Sequence, residues 1–215
     1  MAGKFITFEG GEGAGKSTQI RRLAARLEDA GLRVVTTREP GGTPAAEAIR
    51  LFILSRRAEM MGPEGEAVLF AAARADHVAR IIRPALASGD WVLCDRFADS
   101  TRVYQGVEGG VAADTLDALE RVAVGMTRPD LTIILDVSAE TGLGRVRARQ
   151  AASGVSPDRF DTDELGPHER RRKAYLDLAA RDPGRYLVID ASRNEDEVAA
   201  DIWQAISSRL LREAA

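Results

Sequence analysis

The chain is poor in the groups that would point to several common kinds of protein. Cys94 is its one cysteine, so no intrachain disulfide can form, as expected of a protein kept in a reducing cytoplasm. There is no surplus of basic residues. The formal net charge is −3, so neither a nucleic acid nor a membrane surface is an expected partner, and any basic site must be local. No apolar run approaches the ~20 residues of a membrane span. Met1-Ala2-Gly3-Lys4 leads straight into a β-type run, which leaves no room for a signal peptide, and the expected location is cytoplasmic. The two histidines, His77 and His168, have neither metal-ligand spacing nor an evident partner and read as structural. No internal repeat or low-complexity linker divides the 215 residues, so a single domain over residues 1–215 is expected.

What the chain does have is Gly10-Gly11-Glu12-Gly13-Ala14-Gly15-Lys16-Ser17, a P-loop pattern. Four of these eight residues are glycines, so the backbone can fold tightly and aim its N–H groups at an anion. Lys16 adds positive charge for the outer phosphates, and the Ser17 hydroxyl is the usual Mg²⁺ ligand. The flanks agree. Phe5, Ile6, Thr7 and Phe8 form a β-type run just before the loop. Residues 17–29 then read as a helix, with Ile20, Leu23, Ala24 and Leu27 on one face. Strand, glycine loop and helix N-terminus together make a phosphate site. The pattern implies binding of a nucleoside triphosphate and leaves its fate open.

Further along, residues 33–37 read as a second strand. It ends in Arg38-Glu39-Pro40-Gly41-Gly42-Thr43, where open α/β sheets collect binding residues, although the same residues read equally well as a surface turn. Residues 44–54 are predicted helical, 55–65 a loop, and 66–87 a long helix broken at Pro84. On that helix Phe70 and Arg74 share a face; by themselves they read as a core residue and a solvated charge. Trp91–Cys94 form a third strand closing on Asp95-Arg96. An apolar run ending in aspartate downstream of a P-loop fits a carboxylate that positions Mg²⁺, and Arg96 could hold a second phosphate. Residues 97–110 read as a long polar loop bearing Ser100, Thr101, Tyr104 and Gln105, placed where a second substrate would be read. A helix over 114–125 should bury Leu116, Leu119, Val122 and Ala123.

Residues 131–137 are a fourth, wholly buried strand. Ser138 caps the next helix, which carries Arg145, Arg147 and Arg149. Residues 150–164, with Asp158-Arg159-Phe160-Asp161, are loop-like. This basic helix end and the stretch after it, about 145–164, read either as a lid over phosphates or as a solvated, frayed helix. A helix over 168–181 presents Arg170-Arg171-Arg172-Lys173 as a solvated face. Residues 186–190 are the fifth strand, and Asn194 with Glu197 forms a capping box for a last helix burying Val198, Ile202, Trp203, Ile206 and Leu210. The alternation predicts an α/β fold, a five-stranded parallel sheet with helices on both faces.

Asn194 is the only asparagine, so the base-recognition motif of a GTPase is absent, and the chain is short for a motor or a ring ATPase. A kinase of small nucleotides fits better. The run Phe8 to Ser17, then Thr37-Arg38-Glu39-Pro40-Gly41-Gly42-Thr43, then Asp95-Arg96-Phe97 with Ser100 and Tyr104-Gln105, resembles bacterial thymidylate kinases. Leu69-Phe70-Ala71-Ala72-Ala73-Arg74, Arg128-Pro129-Asp130-Leu131 and Leu135-Asp136-Val137 belong to the same resemblance, which covers nearly the whole chain in order.

The resemblance implies a P-loop kinase fold with an arginine-bearing lid, transfer of the γ-phosphate of ATP to dTMP, a Mg²⁺ ion and a homodimer. It implies that Gly10, Gly11, Glu12, Gly13, Ala14, Gly15, Lys16, Ser17 and Thr18 hold ATP, and that Ser17 and Asp95 organise the metal. Arg96 with Arg38 would clamp the acceptor phosphate, and Phe70 would stack on thymine. Arg74, Ser100, Thr101 and Gln105 would line the base site, Tyr104 would crowd the ribose 2′ position, and Glu12 would reach the 3′-hydroxyl. The variable P-loop positions, Gly11 to Ala14, hold no basic residue, so Arg149 and Arg159, with Arg145 next, are expected to supply the missing charge beside Lys16 and Arg96. Other readings are a different nucleoside monophosphate or deoxynucleoside kinase, or a P-loop switch that transfers nothing.

Overall fold

In Phe5–Glu9 (β1) side chains alternate across the strand. Ile6 and Phe8 face one layer, while Phe5, Thr7 and Glu9 face the other, and all five are buried. That alternation decides where Glu9, the last residue before the P-loop, points. The computed structural model describes residues 3–55, 57–153 and 164–211. Five strands form one parallel sheet in the order β2-β3-β1-β4-β5, with β2 at Val34–Arg38, β3 at Trp91–Asp95, β4 at Leu131–Asp136 and β5 at Tyr186–Asp190. This is the α/β architecture expected from the alternation of strands and helices. The registers Arg38↔Asp95 and Phe8↔Asp95 bring the carboxyl ends of β1, β2 and β3 level, so the loops that follow them open on one edge.

Helices α1 (Lys16–Asp29) and α9 (Glu195–Ile206) cover one face, packing Ile20, Leu23, Leu27, Val198, Ile202 and Ile206 on Ile6, Phe8, Leu93, Ile133 and Leu135. The other face is covered in two parts. Helices α3 (Gly62–His77) and α6 (Ala113–Ala123) lie over Phe5, Val92 and Cys94, where Phe5 and Phe97 meet edge to face at 5.0 Å. Helix α8 (Leu165–Arg181) brings Ala174, Tyr175 and Ala179 onto Val103, Ile134 and Tyr186. Helices α2 (Pro44–Leu54) and α7 (Ala139–Ser153) flank the open edge. Thr43 caps α2 through Ala46 N–H (3.0 Å), Ser138 accepts from Thr141 N–H (3.2 Å), and the Asn194–Glu197 capping box is present.

Several expectations need correction. Residues 55–65 are not a plain loop: a tight turn over Ala58–Met61 leads into α3, which starts at Gly62. The long helix does break at Pro84, as expected, and the turn already widens ahead of it, over Val78–Ile82; a proline with no N–H cannot bond back into the preceding turn, and it opens a new short helix, α4 (Arg83–Ala87). Residues 97–110 are helical rather than loop, as α5 (Ala98–Thr101) running into a wide-turn segment over Arg102–Glu108. Ala98, Val103 and Gln105 are buried there, and burial stabilises helix where a polar composition suggested loop. Val122 is exposed, and Val124 is buried in its place. Helix α7 continues to Ser153, and the rest of the expected lid, residues 154–163 with Arg159, lies outside the described residues.

Candidate active site

The P-loop leaves β1 at Glu9 and enters α1 at Lys16. Gly15, at φ 93°, takes the left-handed turn that a side chain would strain. Lys16 is buried and folds back on its own loop, donating from Nζ to the carbonyls of Gly10 (3.0 Å) and Gly11 (2.8 Å). Burial first, and then the Arg96 guanidinium, push its amine down to about 8. Ser17 Oγ donates to Asp95 Oδ2 at 2.7 Å, so a hydroxyl from the first turn of α1 and a carboxylate from the end of β3 stand side by side. Gly13 packs on Gly142 of α7 so closely that a Cβ would run into the Gly142 carbonyl, which seats the arginine-bearing helix directly on the loop.

Arg96 follows β3 in the left-handed region, at φ 66°, a strained place for a non-glycine residue. Its neighbours hold it there. Arg96 N–H donates to Phe8 O (2.9 Å), and Phe97 N–H donates to Glu9 Oε1 (2.8 Å). The side chain points back over the P-loop. Nη2 donates to Glu12 Oε1 (2.9 Å), and Nη1 donates to Ser100 Oγ and to the Tyr175 hydroxyl (3.2 Å each). Tyr104 donates its hydroxyl to the same Glu12 oxygen (2.6 Å), and the guanidinium groups of Arg96 and Arg171 lie 5.2 and 4.5 Å from its ring centre.

Beneath this layer sits Glu9, wholly buried. It accepts from Phe97 N–H, from Ser100 Oγ (2.7 Å) and from the Tyr175 hydroxyl (3.0 Å). Burial, with Asp99 nearby, raises its carboxyl to about 7 against the pull of Arg96 and these donors. Glu12 goes the other way. Burial would raise it, but Arg96, His168, Lys16 and Tyr104 together hold it well below the usual carboxylate range.

His168 is therefore not an isolated core histidine: Nδ1 lies 3.6 Å from Glu12 Oε2, outside hydrogen-bond length. His77 also has partners, Thr37 Oγ1 (2.7 Å) and Glu39 Oε1 (2.9 Å). The Arg170–Lys173 run is only partly a solvated face. Arg171 is buried and grips Glu108 (2.6 and 3.2 Å), and Arg172 grips Asp136 with both nitrogens (2.6 and 2.9 Å), pinning α8 to its neighbours.

One cavity of about 340 Å³ gathers most of the candidate residues: Glu12, Gly13, Lys16, Ser17, Arg38, Phe70, Asp95, Arg96, Ser100, Tyr104, Gln105 and Arg149. Gly10, Gly11, Ala14 and Gly15 belong to the loop beneath, and Thr18 to the first turn of α1, without lining it. Arg74 and Thr101 also stand back. Arg74 is buried rather than solvated. Its Nε donates to Glu39 Oε2 (2.7 Å), and its Nη2 donates to Phe97 O (3.1 Å) and Thr101 Oγ1 (3.2 Å). Arg145 donates to Ala191 O (2.9 Å), with Gly13 O and Ser192 O at 3.5 Å, so it bridges the P-loop and the end of β5.

A model of the family described as thymidylate kinase matches residues 8–202. The chain belongs to the thymidylate kinase family. It is 56% identical to a thymidylate kinase of Nitrobacter winogradskyi over 97% of this chain and 90% of the other. It is 54% identical to one of Rhodopseudomonas palustris over 100% and 93%, and 53% identical to one of Bradyrhizobium diazoefficiens over 97% and 91%.

Within this family member, the turn singled out at Arg38–Thr43 does reach the cavity through Arg38, Glu39 and Pro40, while sequence reasoning missed Arg50, Ile53 and Leu54, which line it, and Glu9, Tyr175 and Arg171, which support it. Arg50, Ile53 and Leu54 fall on one turn of α2, directly after the Arg38–Thr43 turn, a spacing that could have flagged them. Glu9 was detectable too: it is a charge in a β-type run, on the parity that faces Phe5 and Thr7.

Proposed function

We propose that the protein transfers the γ-phosphoryl group of ATP to dTMP, giving ADP and dTDP. The observation that carries this is the shared cavity. It sets the P-loop lysine and the Ser17–Asp95 pair against a second set built from Arg96, Glu12, Tyr104, Phe70 and Gln105. A triphosphate on the loop and a monophosphate on Arg96 then face each other. An oxygen of the dTMP phosphate attacks the γ-phosphorus, the new O–P bond forms as the bond to the β–γ bridging oxygen breaks, and ADP leaves. Negative charge spreads over the transferring oxygens, so catalysis is positioning plus positive charge from Lys16, Arg96 and Arg149, with no covalent intermediate. Arg159 is a further candidate by resemblance.

The donor set fits Mg²⁺. Ser17 Oγ and the Asp95 carboxylate are adjacent hard oxygens, and an ion that keeps waters and phosphate oxygens needs few protein ligands. When bound, Mg²⁺ would neutralise phosphate charge. On the acceptor side Arg96 and Arg38 hold the phosphate and Phe70 meets the base. Ser100 and Gln105 line the base site, with Arg74 and Thr101 behind them. The Tyr104 ring, fixed by Glu12, crowds a 2′-hydroxyl. Glu12 Oε2 is a buried carboxylate oxygen without a hydrogen-bond donor among the described residues, suited to a sugar 3′-hydroxyl.

We read residues 1–215 as one domain with a lid at about 145–164. Leu51, Met60, Met61 and Val68 lie exposed on α2, the turn after it and α3, which supports a homodimer through that face; sedimentation at the mass of one chain would exclude it. No helix among the described residues is long and apolar enough to cross a membrane, and the proposed location is the cytoplasm.

The test is turnover of a panel of nucleoside monophosphates with ATP and Mg²⁺. dTMP should be used fastest. Rapid phosphorylation of CMP or AMP with dTMP ignored would point to another monophosphate kinase, and nucleotide binding without any transfer to a switch.

A further inference from the structure

Gln105 lines the cavity from the wide-turn segment, and it is almost fully buried, at 3% exposure. A glutamine amide is nearly symmetric in shape and opposite in chemistry at its two ends. Which end faces a ligand decides what that ligand must carry. Here the choice is made from behind. Gln105 Nε2 lies 3.3 Å from Oε2 of Glu66 on α3. An ionised carboxylate only accepts, so the end turned toward it must be the nitrogen; the reversed amide would set oxygen against oxygen. The carbonyl oxygen is then left for the cavity.

We propose that Glu66 is a positioning residue for base specificity. It locks the Gln105 amide in the one orientation that reads a pyrimidine-2,4-dione. In such a base the ring N–H between two carbonyls donates to Gln105 Oε1, and the second N–H of Nε2 donates to a neighbouring carbonyl. An aminopyrimidine such as cytosine presents the opposite edge, a ring nitrogen that accepts beside an amino group that donates. To pair with it, Gln105 must turn over and place its oxygen on the Glu66 carboxylate. Discrimination thus comes from a repulsion one layer behind the residue that touches the base. This rests on reading the cavity as the dTMP site.

The experiment compares Glu66→Gln with the parent enzyme, using dTMP and dCMP as acceptors at saturating ATP. A glutamine at 66 can offer either end of its own amide, so both orientations of Gln105 become available at nearly unchanged volume. The ratio of kcat/KM for dTMP to that for dCMP should fall by about ten- to a hundredfold, the worth of a charge-assisted hydrogen bond. dCMP should gain activity in absolute terms, with the KM for ATP unmoved. A purely structural Glu66 would lower both acceptors in parallel, and that result, or an unchanged ratio, overturns the proposal. Thermal melting checks the fold. If Glu66→Gln is unstable, Glu66→Met removes the carboxylate at similar length, and the same ratio is read. A parent that does not prefer dTMP would overturn the reading of the cavity itself; a parent that prefers it, with a variant that still does, overturns only the role of Glu66.

Discussion

The cavity has two walls, and they are held in different ways. On the side made by the ends of β1 and β3 with α5 and α8, buried charges meet partners inside the protein. Arg96 is held by Glu12, Ser100 and Tyr175, Glu12 also takes the Tyr104 hydroxyl, and Glu9 lies beneath them all. On the side made by α7, Arg145 lies on backbone carbonyls of the P-loop and the β5 end, and Arg149 reaches the cavity. A wall whose charges are already matched keeps its geometry at no cost at the moment of binding, which suits recognition of the acceptor. An arginine met by carbonyl dipoles, as Arg145 is, keeps its positive charge, which suits a site for phosphoryl groups. The same helix is seated on the P-loop by the Gly13–Gly142 contact, so the charge it brings is indexed to the loop.

The most severe way to break the matched wall is Arg96→Ala. It removes the cation shared by Glu12, Ser100 and Tyr175, and leaves Glu12 buried without its charge partner. Initial rates of ADP formation should show kcat/KM for dTMP down by roughly 10³-fold, with the KM for ATP close to that of the parent. A loss confined to ATP binding would place Arg96 on the wrong wall.

The contrast within α7 is tested by Arg149→Ala beside Arg145→Ala. Arg149 lines the cavity, so its loss should lower kcat by about 10²-fold with little change in the KM for dTMP. Arg145 holds carbonyls of two loops, so its loss should cost about 1 kcal/mol of stability, read by urea unfolding, and less of kcat than Arg149. Equal kcat losses, with stability untouched in both, would erase the distinction.

What the sequence made legible was whatever local pattern encodes. The P-loop, the five strands, the closing Asp95-Arg96 and the capping box at Asn194 are all short-range signals, and the sheet carries them as expected. What it hid depends on partners far along the chain. Arg171 and Arg172 look like a solvated run until Glu108 and Asp136 arrive from other elements. Arg74 looks like a surface charge until Glu39, 35 positions away, meets it under the sheet edge. The helix over Ala98–Glu108 is polar by composition because Ser100, Tyr104 and Gln105 face a cavity, while Asp99 and Arg102 meet partners on other elements, none of which the sequence displays. Tyr175 gave no local sign of reaching Glu9, since the two are 166 positions apart.

The subtlest probe of the matched wall is pH, through Glu9. Its carboxyl is raised from 4.5 to about 7, chiefly by burial, so the folded protein holds this proton more tightly than the unfolded chain does. A raised acid contributes stability that is fully present below about 4.5 and is lost as pH climbs through about 7. Glu9→Gln cannot titrate, although it sets an amide N–H against the donors from Phe97 and Ser100 and starts with a constant penalty. The difference in unfolding free energy, parent minus Glu9→Gln, should therefore shrink between pH 5 and pH 8. Urea unfolding at a series of pH values reads that slope, and titrations common to both proteins cancel in it. A flat difference would mean that Glu9 stays ionised throughout, and that its hydrogen-bond donors, rather than burial, govern the wall.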